Sequence, residues 1–343
     1  MPLTPRAQSP AASARQSFEL VIAIPTFDRS AQLSSLLAQL VDETGGVRDR
    51  VLIMVSNNHS ADSTAAVLDD FARRHPDIAF EVYEQEQNID AIPNIHFLVG
   101  KARAEWTWCL GDDDLLFDGA LRRVLSALPS IEGNLFLVRT TGIAEWGRVP
   151  SVPGLRHVRA TSEEGARCMM AANFLASALI RTVTWRGLRE RASAFGAPNY
   201  ANWAAVLLTA SSGGTVAFLD DETVRGDANM VGEVRFEPYP VLILQRLKIW
   251  RELHDAGGAE RELASPLGPI IADLFFRCWR SIAAFSDRSL PQALEKIRGF
   301  AAGARLLGWP AIRALPWLVV ALVLPASLRA TLMRFRRRVI GKA

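Results

Sequence analysis

A chain of 343 residues with 49% hydrophobic and 22% charged content is globular and long enough for about two domains, which excludes a disordered or fibrous protein. Cys109, Cys168 and Cys278 stand far apart in no zinc or disulfide pattern, so reduced thiols are expected. The net charge of +3 is uneven: residues 301–343 carry seven arginines and one lysine and no acid, while the rest sets 31 basic against 36 acidic residues. A basic end on a mildly acidic body points to an anionic surface, and its apolar neighbours favour a membrane over nucleic acid.

Residues 1–17, rich in Pro, Ala, Ser and Gln and without an apolar signal core, read as a flexible tail. Residues 18–25 form a short apolar run ended by Pro25, the mark of a strand buried on both faces. Leu33, Leu36, Leu37 and Leu40 then recur at helical spacing, with Asp28 or Ser30 as the cap. A second strand is expected at 51–55, a helix at 65–71, and further strands at 80–83 and 106–110. Strand and helix in this alternation predict a mostly parallel α/β sheet with right-handed crossovers. Strands at 135–139 and 216–219 and a helix at 202–210 follow. From about residue 237 the pattern is helical, with Ile270, Ile271, Leu274, Phe275, Cys278, Trp279 and Ile282 on one stripe. The expected division is a tail (1–17), an α/β catalytic domain (18–235) and a helical C-terminal region (236–343).

Parallel sheets bind ligands at the carboxyl ends of their strands. Three polar clusters fall there: Thr26-Phe27-Asp28-Arg29, Ser56-Asn57-Asn58, and Gly111-Asp112-Asp113-Asp114. Three adjacent carboxylates repel one another, and a divalent cation with a substrate phosphate relieves that repulsion. On the residues alone, a solvated acidic turn capping a helix near Leu121 is an equal account. The histidines share no ligand spacing, and the absence of Walker or dinucleotide glycine loops argues against an ATPase or a dehydrogenase.

Taken together, the segments 21–29, 55–64, the stretch from Gln87 and Asn88 to Asn94, and 108–114 resemble, in order and spacing, the family 2 glycosyltransferases of the GT-A fold. The branch most alike is that of abequosyltransferase-like enzymes of surface-polysaccharide assembly. The resemblance implies that Pro25, Thr26, Phe27 and Arg29 wall a nucleotide-sugar pocket completed by Asn88, Asn94 and Asp112. Asn57 stands where the family has an aspartate for the base's ring N–H, and its carbonyl can still accept that bond. Asp113 would hold the ribose or the metal, and Asp114 the Mn²⁺ or Mg²⁺ that bridges the diphosphate. The family's catalytic carboxylate has no counterpart in Asn199-Tyr200-Ala201-Asn202-Trp203; Glu190 upstream and Asp227 downstream are the candidates, with Asp220 and Asp221 also near in sequence.

At the C-terminus, Trp309 precedes and Trp317 lies within an apolar run of 13 residues (314–326), interrupted by Pro316 and Pro325 and followed by Arg329, Arg334, Arg336, Arg337 and Arg338. The run is too short to span a bilayer and suits the interface of an anionic membrane. The combined expectation is an inverting sugar transferase on the cytoplasmic face of the cell membrane. Its donor would be a UDP, dTDP, GDP or CDP sugar, and its acceptor a saccharide, lipid-linked by family inference. A non-catalytic nucleotide-sugar-binding subunit and a nucleotidyltransferase are the alternative readings.

Overall fold

The computed structural model describes residues 4–13, 17–141, 149, 152–172, 174–194, 201–225, 238–285, 301–303 and 305–307. The apolar runs become strands because both of their faces are covered. In β2 (Phe18–Thr26), Val21 and Ala23 enter one core while Leu20, Ile22 and Ile24 enter the other. In β3 (Val51–Asn57), Leu52 and Met54 oppose Val51, Ile53 and Val55 in the same way. Alternate residues thus serve different layers, which is why these strands are apolar without polar alternation.

Helices α2 (Ser30–Glu43), α3 (Thr64–Arg74) and α5 (Ala120–Ala127) cover one face, through Leu33, Leu36, Leu68, Phe71, Leu121 and Val124. The other face is covered by α4 (Ala91–Lys101), α6 (Glu163–Ala171), α7 (Thr182–Ala194) and α8 (Ala201–Gly213). Two further helices, α9 (Pro238–Ala256) and α10 (Gly258–Phe285), join that same core through Leu247, Leu253, Leu267, Ile271 and Phe275. Residues 238–285 are therefore helical, as the pattern from about residue 237 predicts, and these two helices share the core of the sheet.

The sheet is mixed, not mostly parallel. Its order is β1-β4-β3-β2-β5-β9-β7-β10-β6, with β8 also on β10. β4 (Phe80–Glu84), β3, β2 and β5 (Ala104–Cys109) run parallel, as the alternation of elements predicts. Beyond β5, β9 (Ala178–Arg181) runs antiparallel to both β5 and β7 (Leu135–Thr141). The long β10 (Thr215–Arg225) lies parallel to β7 and takes β8 (Leu155–Arg159) and β6 (Leu115–Leu116) antiparallel along its other side.

The N-terminal segment also differs from expectation. Instead of a free tail, β1 (Ala7–Gln8) pairs antiparallel with β4, and α1 (Pro10–Ser13) follows it. Ser9 fastens the junction: its Oγ donates to the Ile78 carbonyl at 2.7 Å and accepts from Phe80 N at 3.0 Å. Composition hid this because edge pairing uses backbone groups, which Pro, Ala and Ser do not advertise. Among the described residues no helix is long and apolar enough to cross a membrane. The tryptophan- and arginine-rich end from Trp309 onward lies outside the described residues.

Candidate active site

The carboxyl ends of β2, β3, β4 and β5 open on one rim, and the loops that leave them are laced together. Asp28 N donates to Ser60 Oγ at 2.9 Å, and Asp28 Oδ1 accepts from Ala61 N at 2.7 Å. Asp62 reaches across to accept from Ser30 N at 2.9 Å, so α2 is capped from the neighbouring loop and not by Asp28 or Ser30 as expected. The Thr64 hydroxyl and these backbone donors hold the Asp62 carboxyl down at about 2. Among the described residues, the non-glycine positions with positive φ are Asp28 (51°), His59 (66°) and Asp90 (68°), one each after β2, β3 and β4. Strain confined to the loops of one rim marks where the backbone is constrained for a purpose other than packing.

The acidic run sits at the end of β5, and its three carboxylates differ in environment. Asp112 is buried, accepting from Thr26 Oγ1 at 2.8 Å and from Arg29 Nη1 at 3.3 Å. Burial raises its pKa against the pull of those two partners. Asp113 is more open and takes the same Arg29 nitrogen at 2.6 Å. Asp114 folds back so that its Oδ2 accepts from Gly111 N at 2.6 Å, and burial pushes its pKa up to about 7. Burial works against the charge on Arg29, but Asp112 and Asp113 outweigh it and raise the guanidinium's pKa.

Gly111 is required by this arrangement. A Cβ there would lie 2.9 Å from Asp113 Oδ1 and 3.1 Å from Asp114 Oδ2, so the bare Cα is what lets both carboxylates converge. Among the described residues no group of three or more His, Cys, Asp or Glu side chains is placed to hold a metal. Mg²⁺ and Mn²⁺ at phosphate-binding sites use one or two carboxylates with the substrate's own oxygens, and the Asp113–Asp114 pair over Gly111 fits that need.

The remaining expected residues divide between wall and scaffold. Phe27 is a large apolar side chain left exposed, next in the chain to Thr26, whose hydroxyl holds Asp112. Asn94 acts inside the protein, whereas Asn88 is exposed and fastens neighbouring loops. Asn88 Oδ1 accepts from Asn58 Nδ2 at 2.9 Å and from Asp90 N at 2.8 Å, while the buried Asn94 accepts from Ser56 Oγ at 2.6 Å. Asn57 is wholly buried, its amide shared between Glu84 and Ser60 N.

Glu190 is exposed on α7 and shows no hydrogen bond or ion pair to the rim among the described residues. Asp220 is wholly buried and gripped by Arg139 and Arg156, and Asp221 Oδ2 accepts from Gly154 N at 3.1 Å. Asp227, Asn199 and Tyr200 lie outside the described residues. Sequence reasoning missed Glu84, the last residue of β4; its signal was a carboxylate at the carboxyl end of a parallel strand. It also missed a cavity of about 600 Å³ beside β6, lined by Phe117, Asp118, Glu222 and Arg225 among others.

Residues 21–148 match the family model described as glycosyl transferase family 2, which takes in the whole rim and the acidic run. No curated protein matches the chain in sequence. Among solved structures the chain is similar to TarS of S. aureus in complex with UDP, with a TM-score of 0.64, 12% identity, and 89% of this chain and 87% of that one covered. The complex of TarS with UDP-GlcNAc is similar to the same degree, with a TM-score of 0.64, 13% identity and the same coverage. The mannosyltransferase PcManGT from Pyrobaculum calidifontis, in complex with GDP-Man and Mn²⁺, gives a TM-score of 0.51, 13% identity, and coverage of 93% and 88%. At such identities the likeness is one of fold, and the mixed sheet with its two helical layers is the GT-A glycosyltransferase fold.

Proposed function

We propose that the protein moves a hexosyl or deoxyhexosyl group from a nucleoside-diphosphate sugar to a hydroxyl of a saccharide acceptor, using Mn²⁺ or Mg²⁺. The observation that carries this reading is the convergence of Asp113 and Asp114 over Gly111 at the carboxyl end of β5. The match of the rim to a glycosyl transferase family model supports it, as do fold relatives solved with UDP, UDP-GlcNAc and GDP-Man with Mn²⁺. The motifs favour the abequosyltransferase-like branch.

In this reading Asp113 and Asp114 hold the ion, which when bound supplies positive charge against the charge gathering on the departing diphosphate. Thr26 fixes Asp112 beforehand, and the Arg29 cation balances Asp113 until the ion and the donor arrive. Phe27 offers its exposed ring to the donor. The acceptor enters from the cavity beside β6, where Asp118 and Glu222 provide acceptors for sugar hydroxyls.

Inversion requires a base to take the acceptor's proton as its oxygen attacks the anomeric carbon. We assign that duty to Asp227. Arg225 pairs with Leu115, the residue after Asp114, and Asp227 follows Arg225 by two positions along the chain. The basic, tryptophan-bearing end beyond residue 308 would rest on the anionic inner face of the cell membrane, and the acceptor would be lipid-linked.

A second reading, a nucleotide-sugar-binding subunit without turnover, is favoured by one observation: Asp220 and Asp221 are already engaged within the protein. The deciding experiment is a thermal-shift panel of UDP, GDP, CDP and dTDP with and without Mn²⁺, followed by an assay of nucleoside-diphosphate release. Metal-dependent stabilisation by mass action, with release on adding acceptor, is the expected result. A flat panel in folded protein overturns the donor site, and binding without release selects the second reading.

A further inference from the structure

The base end of the rim holds a carboxylate that the motif comparison passes over. Asn57, the residue standing at the family's aspartate position, has no exposed face. Its Nδ2 donates to Glu84 Oε1 at 2.9 Å and to Glu84 Oε2 at 3.1 Å, while its Oδ1 accepts from Ser60 N at 3.2 Å. A carboxylate only accepts, so the nitrogen must face Glu84 and the amide cannot flip. Glu84 itself is about a third exposed, at the carboxyl end of β4, next to the end of β3. From the other side Arg6 Nη1 donates to Glu84 Oε2 at 3.1 Å, and Arg6 Nη2 reaches Asp69 at 2.6 Å. Arg6 comes from the segment that adds β1 to the sheet edge, outside the stretch matched by the family model. Two carboxylate oxygens offer about four lone-pair sites. Those seen to be used here come from Asn57 and Arg6, and Oε1 receives Asn57 alone.

We infer that Glu84 reads the donor's base, accepting an N–H from its pairing edge, with Asn57 and Arg6 as the residues that position it. This rests on the donor-site reading above and deepens it. An acceptor-only group selects bases with a ring N–H at the middle of that edge: uracil, thymine and guanine. Cytosine and adenine present a lone pair at that place, and two facing acceptors repel. The negative charge has moved from β3 to the end of β4, and the buried amide of Asn57 holds it there.

Isothermal titration of the full chain with UDP, dTDP, GDP, CDP and ADP in Mn²⁺ tests this. The wild type is expected to bind at least one of UDP, dTDP and GDP about tenfold or more tightly than CDP and ADP, a difference of one unsatisfied acceptor pair. Glu84→Gln can turn a donor toward the base, so the ratio should collapse to within about threefold. Arg6→Met removes two solvent-exposed ion pairs, to Glu84 and Asp69, which leaves folding intact. It should lower the ratio severalfold, and it decides the matter if Glu84→Gln does not fold. A ratio unchanged in the folded variants, or a wild type that prefers CDP or ADP, overturns the inference and leaves the donor site standing. Absence of any nucleotide binding removes the donor site, and the inference with it.

Discussion

Two clusters in this molecule join aspartates to arginine, and they are balanced in opposite senses. Around Asp220 two guanidiniums face one carboxylate. Arg139 binds Oδ1, Arg156 Nη1 lies 3.4 Å from Oδ2, and Val152 N donates to Oδ2 at 2.5 Å. Both guanidiniums also stand against the Phe218 ring, at 5.9 and 5.1 Å from its centroid. Asp220 has no exposure and is bonded on both oxygens, tying β10 to β7 and to the loop before β8. At the rim the ratio is reversed: Asp112 and Asp113 share one arginine, Arg29, and Asp114 beside them takes only the Gly111 amide. The first cluster is closed and serves the fold. The second has negative charge in excess, which is what a cation-dependent site requires before its ligand arrives.

Substitution at the closed cluster should therefore have the larger effect on stability. Asp220→Ala leaves two arginines facing a vacated buried site, and a loss of about 3–5 kcal/mol is expected in urea unfolding. The opposite holds at the rim. Asp113→Ala should leave the unfolding midpoint nearly unchanged while cutting Mn²⁺-dependent nucleotide affinity by about 100-fold, as removal of a metal ligand does. If Asp113→Ala destabilised as much as Asp220→Ala, the contrast between the two clusters would disappear.

The same contrast sorts what the sequence made legible. The parallel half could be read because each of its strands is buried on both faces, and its chemistry falls at strand ends in short contiguous runs. The mixed half could not. β9 is four residues long and antiparallel, inserted between β5 and β7 by pairings that no local pattern encodes. Helix α4 was missed because Pro93, at its third position, reads as a breaker, although proline is tolerated within a first turn. Contacts made across loops were equally hidden: Asp62 capping α2, and Glu84 bonded to Asn57 and Arg6, join residues 32, 27 and 78 positions apart. What the motifs could not reveal was division of labour. Asn94 is buried against Ser56 and holds the end of β3, and only the three-dimensional arrangement separates it from groups that face the ligand.

A smaller effect follows from pH. The Asp114 pKa of about 7 lies above the ordinary aspartate value of 3.8, so the folded state holds this proton more tightly than the unfolded chain does. Its stabilising contribution is therefore full below about 3.8 and is lost as pH rises through about 7. Asp114→Asn keeps an oxygen for Gly111 N and removes the charge. The ligand-free variant should melt above the wild type at pH 8, with the gap closing toward pH 4. Mn²⁺ affinity of the wild type should run the other way, rising through pH 7 as the carboxylate ionises. A melting gap independent of pH would mean that Asp114 is not desolvated in solution.

The smallest expected effect on folding, and the sharpest test of the imbalance, belongs to Arg29. Its side chain is 42% exposed, so breaking its ion pairs by Arg29→Met should cost under about 1 kcal/mol. Its charge nevertheless occupies Asp113 Oδ2, so in the absence of nucleotide it competes with a metal for the same carboxylate. Removing it should raise the affinity for Mn²⁺ alone by a few-fold, measured by titration, while weakening binding of the nucleoside diphosphate, which loses a cation at the rim. Arginine acting only as a structural clamp would give the reverse: Asp112 and Asp113 would drift apart without it, and Mn²⁺ affinity would fall together with nucleotide affinity. The sign of the change in metal affinity therefore separates a cation that stands in for the metal from one that merely shapes its site.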